Sequence, residues 1–333
     1  MKQLLLFILM LSSASALASK APIGIVIHGG AGTINRDSMT PAQEQAYHAM
    51  LTHAVNQGYA VLERGGSSLD AVTAAVTVLE DSPLFNAGKG AVYTFDESHE
   101  LDASIMNGRD RSAGAVAGVT NVKNPILLAR AVMEKSDHVM LSGKGAEQFA
   151  KQQKLELVDN SYFNTEFRYE ALQRAKQAIA PQPHQAAVPY DPAWKMGTVG
   201  AVAIDRKGNL AAATSTGGMT AKRYGRIGDA PIIGAGNFAD NKSCAVSATG
   251  HGEFFIRYQV ASDICARVKY QRKTAAVAAK EVMAELKKVG GDGGVIVVDS
   301  KGQLSWTFNT EGMYRALKAE GGEVISEIFA AKS

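Results

Sequence analysis

The first place in this sequence where chemistry could be concentrated in one residue is a threonine that follows a glycine at the end of a proline-rich stretch. Pro181, Pro183, Pro189 and Pro192 are interleaved with Gln, His and Ala, and Gly197-Thr198 follows shortly after. The segment 181–197 reads as an extended, exposed linker. Thr198 then opens a run, Thr-Val-Gly-Ala-Val-Ala-Ile-Asp, that reads as a strand. Were the Gly197-Thr198 bond cut, Thr198 would carry both a nucleophilic hydroxyl and a free amine of pKa about 8 to serve as its own base. Gly197 suits such a cut, because glycine tolerates strained backbone angles and leaves room for the hydroxyl to reach the preceding carbonyl. On its own the pattern is outweighed by the ordinary use of threonine to begin a strand.

Other segments offer chemistry that the sequence then fails to complete. His28-Gly29-Gly30-Ala31-Gly32 is similar to the oxyanion segment of lipases, but no Gly-x-Ser-x-Gly nucleophile accompanies it. Gly234-Ala235-Gly236 with Ala239 fits a degenerate GxGxxA without the strand-loop-helix context a pyrophosphate needs, and no GxxxxGK[ST] loop exists. His251-Gly252-Glu253 matches the H-x-E of zinc deaminases, yet the PCxxC half is missing. Each of these loops taken singly reads first as a tight turn.

The elements that must position these residues can be traced from periodicity. Ile23 to His28 is a buried strand halted by Gly29-Gly30. Apolar residues at three and four spacing predict helices over Glu44 to Glu63 and Leu69 to Glu80, the second capped by Ser68. Further helices are expected near Pro125 to Glu134, Lys144 to Gln153, Thr165 to Ile179, Glu253 to Tyr270 and Thr274 to Lys288. Val199 to Asp205 and Leu210 to Thr214 flank a Lys207-Gly208-Asn209 turn, and Val295 to Asp299 and Leu304 to Phe308 form a second hairpin. Helices layered on sheets, an α+β arrangement, follow from this order.

Composition narrows the function classes. The chain has 333 residues, 46% hydrophobic and 20% charged, with a formal charge of +3 and no dense basic run, so neither disorder nor a nucleic-acid footprint is indicated. Residues 1–18 carry a Lys2 start, an apolar run from Leu4 to Leu11 and a small-residue end at Ala16-Leu17-Ala18. That is the pattern of a signal peptide rather than a membrane anchor, which predicts a secreted, periplasmic protein with no membrane segment after removal. Export would permit a disulfide, but Cys244 in a strand-like stretch and Cys265 on a helical face read as buried free thiols.

Taken together the motifs carry a resemblance. HGGAG at 28–32, PLFNAG at 83–88, GTVGAV at 197–202, TSTGG at 214–218, GRIGDAP at 225–231, TGHGE at 249–253 and FNTEGM at 308–313 resemble, in order, the plant-type L-asparaginase/isoaspartyl peptidase family. These are threonine-type N-terminal-nucleophile hydrolases that cleave themselves. The resemblance implies a four-layer αββα sandwich of the N-terminal-nucleophile hydrolase type. It also implies an α subunit over 19–197 and a β subunit over 198–333 within one catalytic domain, assembled as a dimer of αβ heterodimers.

The same resemblance assigns roles. Cleavage falls between Gly197 and Thr198; Thr198 is the nucleophile, Thr216 tunes it, Asn86 assists, and the Thr249 hydroxyl and Gly250 NH hold the oxyanion. Such donors are worth roughly 3 kcal/mol each when preorganised. Arg226, Ile227, Gly228, Asp229, Thr249, Gly250, His251 and Gly252 form the substrate-binding set, in which Arg226 takes the α-carboxylate and Asp229 the α-ammonium of an aspartyl substrate. The alternative for Arg226 and Asp229 is a simple salt pair with each other. No cofactor serves catalysis, and backbone carbonyls of Leu79, Glu80, Ser82, Phe85, Ala87 and Lys89 are expected to hold a structural sodium ion. The expected substrates are small molecules, β-aspartyl dipeptides and L-asparagine, without nucleic acid. Glycosylasparaginase, or an amino-acid-binding module without catalysis, remain the competing readings, and an imidazole at His251 leaves substrate preference open.

Overall fold

A computed structural model describes residues 21–179 and 197–331. The leader expected over 1–18, and all of the expected linker except Gly197, lie outside the described residues. Among the described residues no helix is long and apolar enough to cross a membrane.

Eight strands form the larger sheet, in the order β12 (Ile325–Phe329), β11 (Gly312–Ala319), β1 (Gly24–Gly32), β5 (Val199–Ile204), β6 (Leu210–Thr216), β2 (Leu101–Asn107), β3 (Ala113–Val119) and β4 (Met140–Ser142). The smaller sheet orders β10 (Leu304–Phe308), β9 (Gly293–Asp299), β8 (Cys244–Gly250) and β7 (Asn237–Ala239). The period-2 alternation of the strands sorts their side chains between two cores. Ile25, Ile27, Val199, Ala201, Ala203, Ala211 and Ala213 face α1 (Pro41–Glu63), α2 (Ser68–Glu80) and α3 (Pro125–Lys135). The intervening Val26, Val202, Ile204, Leu210 and Ala212 meet Ile296 and Val298 of the second sheet. Val295 and Val297 turn the other way, onto α7 (Val260–Gln271) and α8 (Ala275–Lys288). Helices, sheet, sheet and helices are thus stacked in the expected αββα order.

Two smaller helices, α4 (Gly143–Gln152) and α5 (Glu166–Ile179), fall close to their expected positions. Three departures have physical causes. The cap of α2 is Ser67, whose hydroxyl accepts from the Asp70 NH, while Ser68 is already helical. The single helix expected over Glu253 to Tyr270 is two, α6 (Gly252–Tyr258) and α7, because Gln259 adopts a left-handed conformation at φ 49° that ends one helix and starts the next. Cys244 and Cys265 are not free thiols: they form a disulfide, with Cα atoms 5.4 Å apart. The periodicity had placed each on a buried face, and the packing of α7 on β8 makes those two faces one contact.

The order β1-β5-β6 places the start of β5 between two neighbours. His28 pairs with Gly200 and Val199 with Ser215, so Thr198, one residue earlier, falls beside Thr216 at the end of β6.

The disulfide closes a sequence separation of 21 residues, which the chain-entropy relation values at about 3 kcal/mol. Urea denaturation with and without a thiol reductant measures this directly. A clear fall in midpoint is expected on reduction, and identical curves from protein shown to contain the bond would contradict it.

Candidate active site

Thr198 precedes β5, and its surroundings are built from hydroxyls. Its Oγ1 donates to Thr216 Oγ1 at 3.2 Å, and its backbone NH donates to Thr249 Oγ1 at 3.3 Å. Thr249 ends β8 of the smaller sheet, so the nucleophile candidate sits where the two sheets meet. Its carbonyl oxygen is held by His28 Nδ1 at 2.9 Å. A carbonyl can only accept, so Nδ1 carries the proton and Nε2 accepts from Ser247 Oγ, also at 2.9 Å. Ser247 is tied in turn to Thr214 at 2.8 Å. Complete burial lowers the His28 pKa to about 3, outweighing the bond to Thr198; the imidazole is neutral and works as a fixed strut.

Glycine at 197 and 30 is a steric requirement. Gly197 has φ +59°, and a Cβ on Gly30, itself at φ +117°, would lie 2.3 Å from the Gly197 Cα. Gly29-Gly30 does not halt β1, which runs on to Gly32 through a bulge between His28 and Gly30, and that bulge presses its backbone against the residue whose carbonyl Thr198 would attack.

One pocket gathers Asn86, Gly197, Thr198, Thr216, Arg226, Gly228, Asp229, Thr249, Gly250 and His251 from the expected set, joined by Ala31, Gly218 and Met219. Ile227 does not line it and its side chain is exposed. Gly252 lies just behind: a Cβ there would come within 2.9 Å of Arg226 Nη2 and 3.0 Å of Asp229 Oδ1. Asn86 is present but committed elsewhere. Its Nδ2 donates to Gly218 O at 2.7 Å and its Oδ1 accepts from the Val92 NH at 3.0 Å, so it braces the turn after Thr216.

The charges differ from the simple Arg226–Asp229 pair. Arg226 forms a fork with Glu253, Nε to Oε1 and Nη2 to Oε2, both 2.9 Å. His251 Nε2 stands 3.3 Å from Glu253 Oε2. Although partial burial works the other way, His251 and Arg226 hold the Glu253 carboxyl well below the usual carboxylate range. Asp229 is left buried, with Oδ2 lacking any hydrogen-bond partner. Burial pushes its pKa to about 7, against the pull of Arg226. A buried carboxyl with one unpartnered oxygen, on a residue that lines the pocket, is suited to receive a cation.

The segment expected to bind sodium has the matching donor chemistry. Gly88 turns at φ +51°, and a Cβ there would lie 2.3 Å from Glu80 O, while one on Gly90 would lie 2.1 Å from Phe85 O. Backbone carbonyls, hard neutral oxygens, thus face the tight turn. The Lys89 ammonium lies over the Tyr162 ring at 4.9 Å, away from it. Among the described residues no group of three or more His, Cys, Asp or Glu is placed to hold a metal.

Three residues near the site, His28, Ser247 and Glu253, escaped the sequence reading of roles, and Glu80, expected there only for its backbone carbonyl, also acts through its side chain. His28 and Glu253 lay inside recognised motifs, but their hydrogen bonds cross 170 and 27 positions of sequence. The Glu80 side chain accepts from Ser215 Oγ at 2.6 Å and from the Ile126 NH at 3.0 Å, joining α2, α3 and β6 beside Thr216.

A family model described as Asparaginase matches residues 21–326. The chain belongs to the asparaginase family. It is a hydrolase of that family, similar to the isoaspartyl peptidase of Escherichia coli (strain K12), 51% identical over 92% of this chain and 96% of the relative. It is also 53% identical to the isoaspartyl peptidase of Salmonella typhimurium, over 88% of this chain and 94% of the relative. The isoaspartyl peptidase/L-asparaginase of Homo sapiens is 43% identical over 86% and 90%.

Asp229 gives a test by pH. Its folded pKa, about 7, lies above the ordinary 3.8, so between those values the folded form keeps a proton that the unfolded chain has lost. Stability contributed by this group is therefore full below about pH 4 and declines as pH rises to about 7, by up to about 1.4 kcal/mol per unit. Asp229→Asn should flatten that part of the stability curve in ligand-free protein. Parallel curves for variant and parent between pH 4.5 and 7.5 would contradict the assignment.

Proposed function

We propose that this chain is an exported, self-cleaving threonine hydrolase that removes β-aspartyl residues from isoaspartyl dipeptides and hydrolyses L-asparagine to aspartate and ammonia. The observation that carries the reading is the position of Thr198: its hydroxyl opens onto a pocket whose other end presents Arg226 and an unpaired Asp229. In self-cleavage, Thr198 Oγ1 attacks the Gly197 carbonyl carbon, the Gly197-Thr198 amide becomes an ester, and water releases the 198–333 subunit from the 19–197 subunit. The freed amine then takes the proton from Oγ1 as that oxygen attacks the substrate's side-chain carbonyl. The Thr249 hydroxyl and Gly250 NH receive the oxyanion, and Thr216 holds the attacking hydroxyl in line.

Recognition follows from charge. Asp229, ionised by the approach of an ammonium, takes the substrate's α-amine, and Gly252 keeps the space beside it open. The α-carboxylate takes the fork of Arg226 in place of Glu253. In this reading the threonine hydroxyls and the freed amine supply the nucleophile, the base and an oxyanion donor, and no cofactor is proposed for catalysis. Backbone carbonyls of Leu79, Glu80, Ser82, Phe85, Ala87 and Lys89 would hold a structural sodium ion behind Asn86. The leader at 1–18 and the disulfide are both in keeping with export to a periplasm, and assembly as a dimer of αβ heterodimers completes the proposal.

Denaturing electrophoresis and mass spectrometry of the purified protein test it. Two fragments are expected, one beginning at Thr198 and one beginning near Ser19. Thr198→Ala should remain a single chain with no turnover of either substrate. An active preparation that holds only uncut chain would refute the mechanism. Turnover of aspartylglucosamine in preference to β-aspartyl dipeptides would transfer the chain to the glycosylasparaginase reading.

A further inference from the structure

Among the described residues Arg168 is a buried cation without an anion. It projects from α5, is 3% exposed, and makes one side-chain hydrogen bond, from Nε to Gly90 O at 2.8 Å. No carboxylate among the described residues pairs with it; the phenols of Tyr47 and Tyr314 share its cavity and act on its charge. Burial lowers its pKa only to about 10, so it stays charged at neutral pH. Leaving a buried guanidinium unpaired is costly, and its position suggests what offsets that cost. Arg168 lines a second cavity together with Ala31, Asn86 and Gly197, three residues that also line the pocket of Thr198. None of Arg226, Asp229, Thr249 or His251 lines this second cavity. It therefore adjoins the pocket of Thr198 at Ala31, Asn86 and Gly197, apart from the groups assigned to the aspartyl half of the substrate.

We infer that Arg168 binds the free carboxylate of the leaving residue of a β-aspartyl dipeptide. This rests on the peptidase reading above. The scissile carbonyl has the aspartyl β-carbon, and beyond it the α-amine and α-carboxylate, on one side and the leaving nitrogen on the other. With the aspartyl end fixed on Arg226 and Asp229, the leaving residue enters the second cavity, and its C-terminal carboxylate is the anion that a dipeptide brings and asparagine does not. Arg168 thereby sets the length of substrate accepted: one residue beyond the scissile bond places the carboxylate on the guanidinium, whereas a longer peptide leaves a neutral amide there.

The test compares β-aspartyl-leucine, its C-terminal amide and L-asparagine. Wild-type enzyme should prefer the free acid over the amide by roughly thirtyfold or more in kcat/KM, the scale of losing one partner of a buried charge pair. In processed Arg168→Met this preference should collapse towards one, with kcat/KM for the free acid falling far more than that for L-asparagine. Arg168→Lys should restore part of it. The wild-type comparison needs no variant, so a folding or processing defect in Arg168→Met cannot leave the question open. Equal rates for acid and amide in wild-type enzyme would overturn the inference while leaving the peptidase reading intact; failure to hydrolyse both dipeptide and asparagine would overturn that reading itself. A second source of the same chemistry is the Gly197 carboxylate freed by self-cleavage. It predicts equal rates for acid and amide, with Arg168→Met lowering the melting temperature of the cut enzyme more than that of an uncut Thr198→Ala background, and that result too would overturn the assignment to substrate.

Discussion

The hydrogen bond from His28 to the carbonyl of Thr198 is the constraint on which the site depends. It joins the middle of β1, at its bulge, to the residue before β5, and so fixes Thr198 to the middle of the larger sheet. The imidazole can do this only because it is neutral, and it is neutral because it is wholly buried. Gly200 makes the arrangement possible: a Cβ there would come 2.0 Å from Ser247 Oγ and 2.4 Å from His28 Nε2. The strut therefore passes through the space of a missing side chain, and the Ser247–Thr214 pair beyond it ties the larger sheet to the smaller. Thr198 is thus held by its carbonyl, while its hydroxyl and its NH reach only other hydroxyls, those of Thr216 and Thr249.

The two sheets divide the labour at the pocket. The larger sheet supplies Thr198 and Thr216 from adjacent strand ends, where register alone sets their spacing. The smaller supplies Thr249 and Gly250 from the end of β8, directly before α6. Neither half is a site by itself. The apolar interface of Val26, Val202, Ala212, Ile296 and Val298 fixes their separation, which puts the precision of the chemistry under the control of ordinary core packing.

How much of this was legible in sequence depended on the range of the interaction. Periodicity found α1, α2, α3, α4, α5 and α8 and the two hairpins, because each is set by neighbours within a few residues. It missed β2, β3, β4, β7, β11 and β12; the first two, LDASIMN and AGAVAGV, carry little β-branched signal. It also ran α6 and α7 together, since nothing local marks Gln259 as left-handed. The pocket residues were found through motifs, and ten of them meet in space. What the motifs did not contain was pairing: that Arg226 forks onto Glu253, that Asn86 is spent on backbone, and that Cys244 meets Cys265. Each depends on the relative placement of separate elements, which no window of sequence records.

The fork between Arg226 and Glu253 has a consequence for how ligands arrive. Because the guanidinium already holds a carboxylate, the entrance presents a nearly neutral pair rather than a bare positive charge. Under the proposed role of Arg226, a bound acid would exchange with the Glu253 carboxylate, whose side chain is 45% exposed. Encounter with small acids thus gains little long-range electrostatic steering and depends only weakly on ionic strength. Selectivity falls instead on whether the incoming molecule also brings the cation that Asp229 lacks, so that a simple carboxylic acid meets a competitor already in place while a zwitterion meets a vacancy beside it.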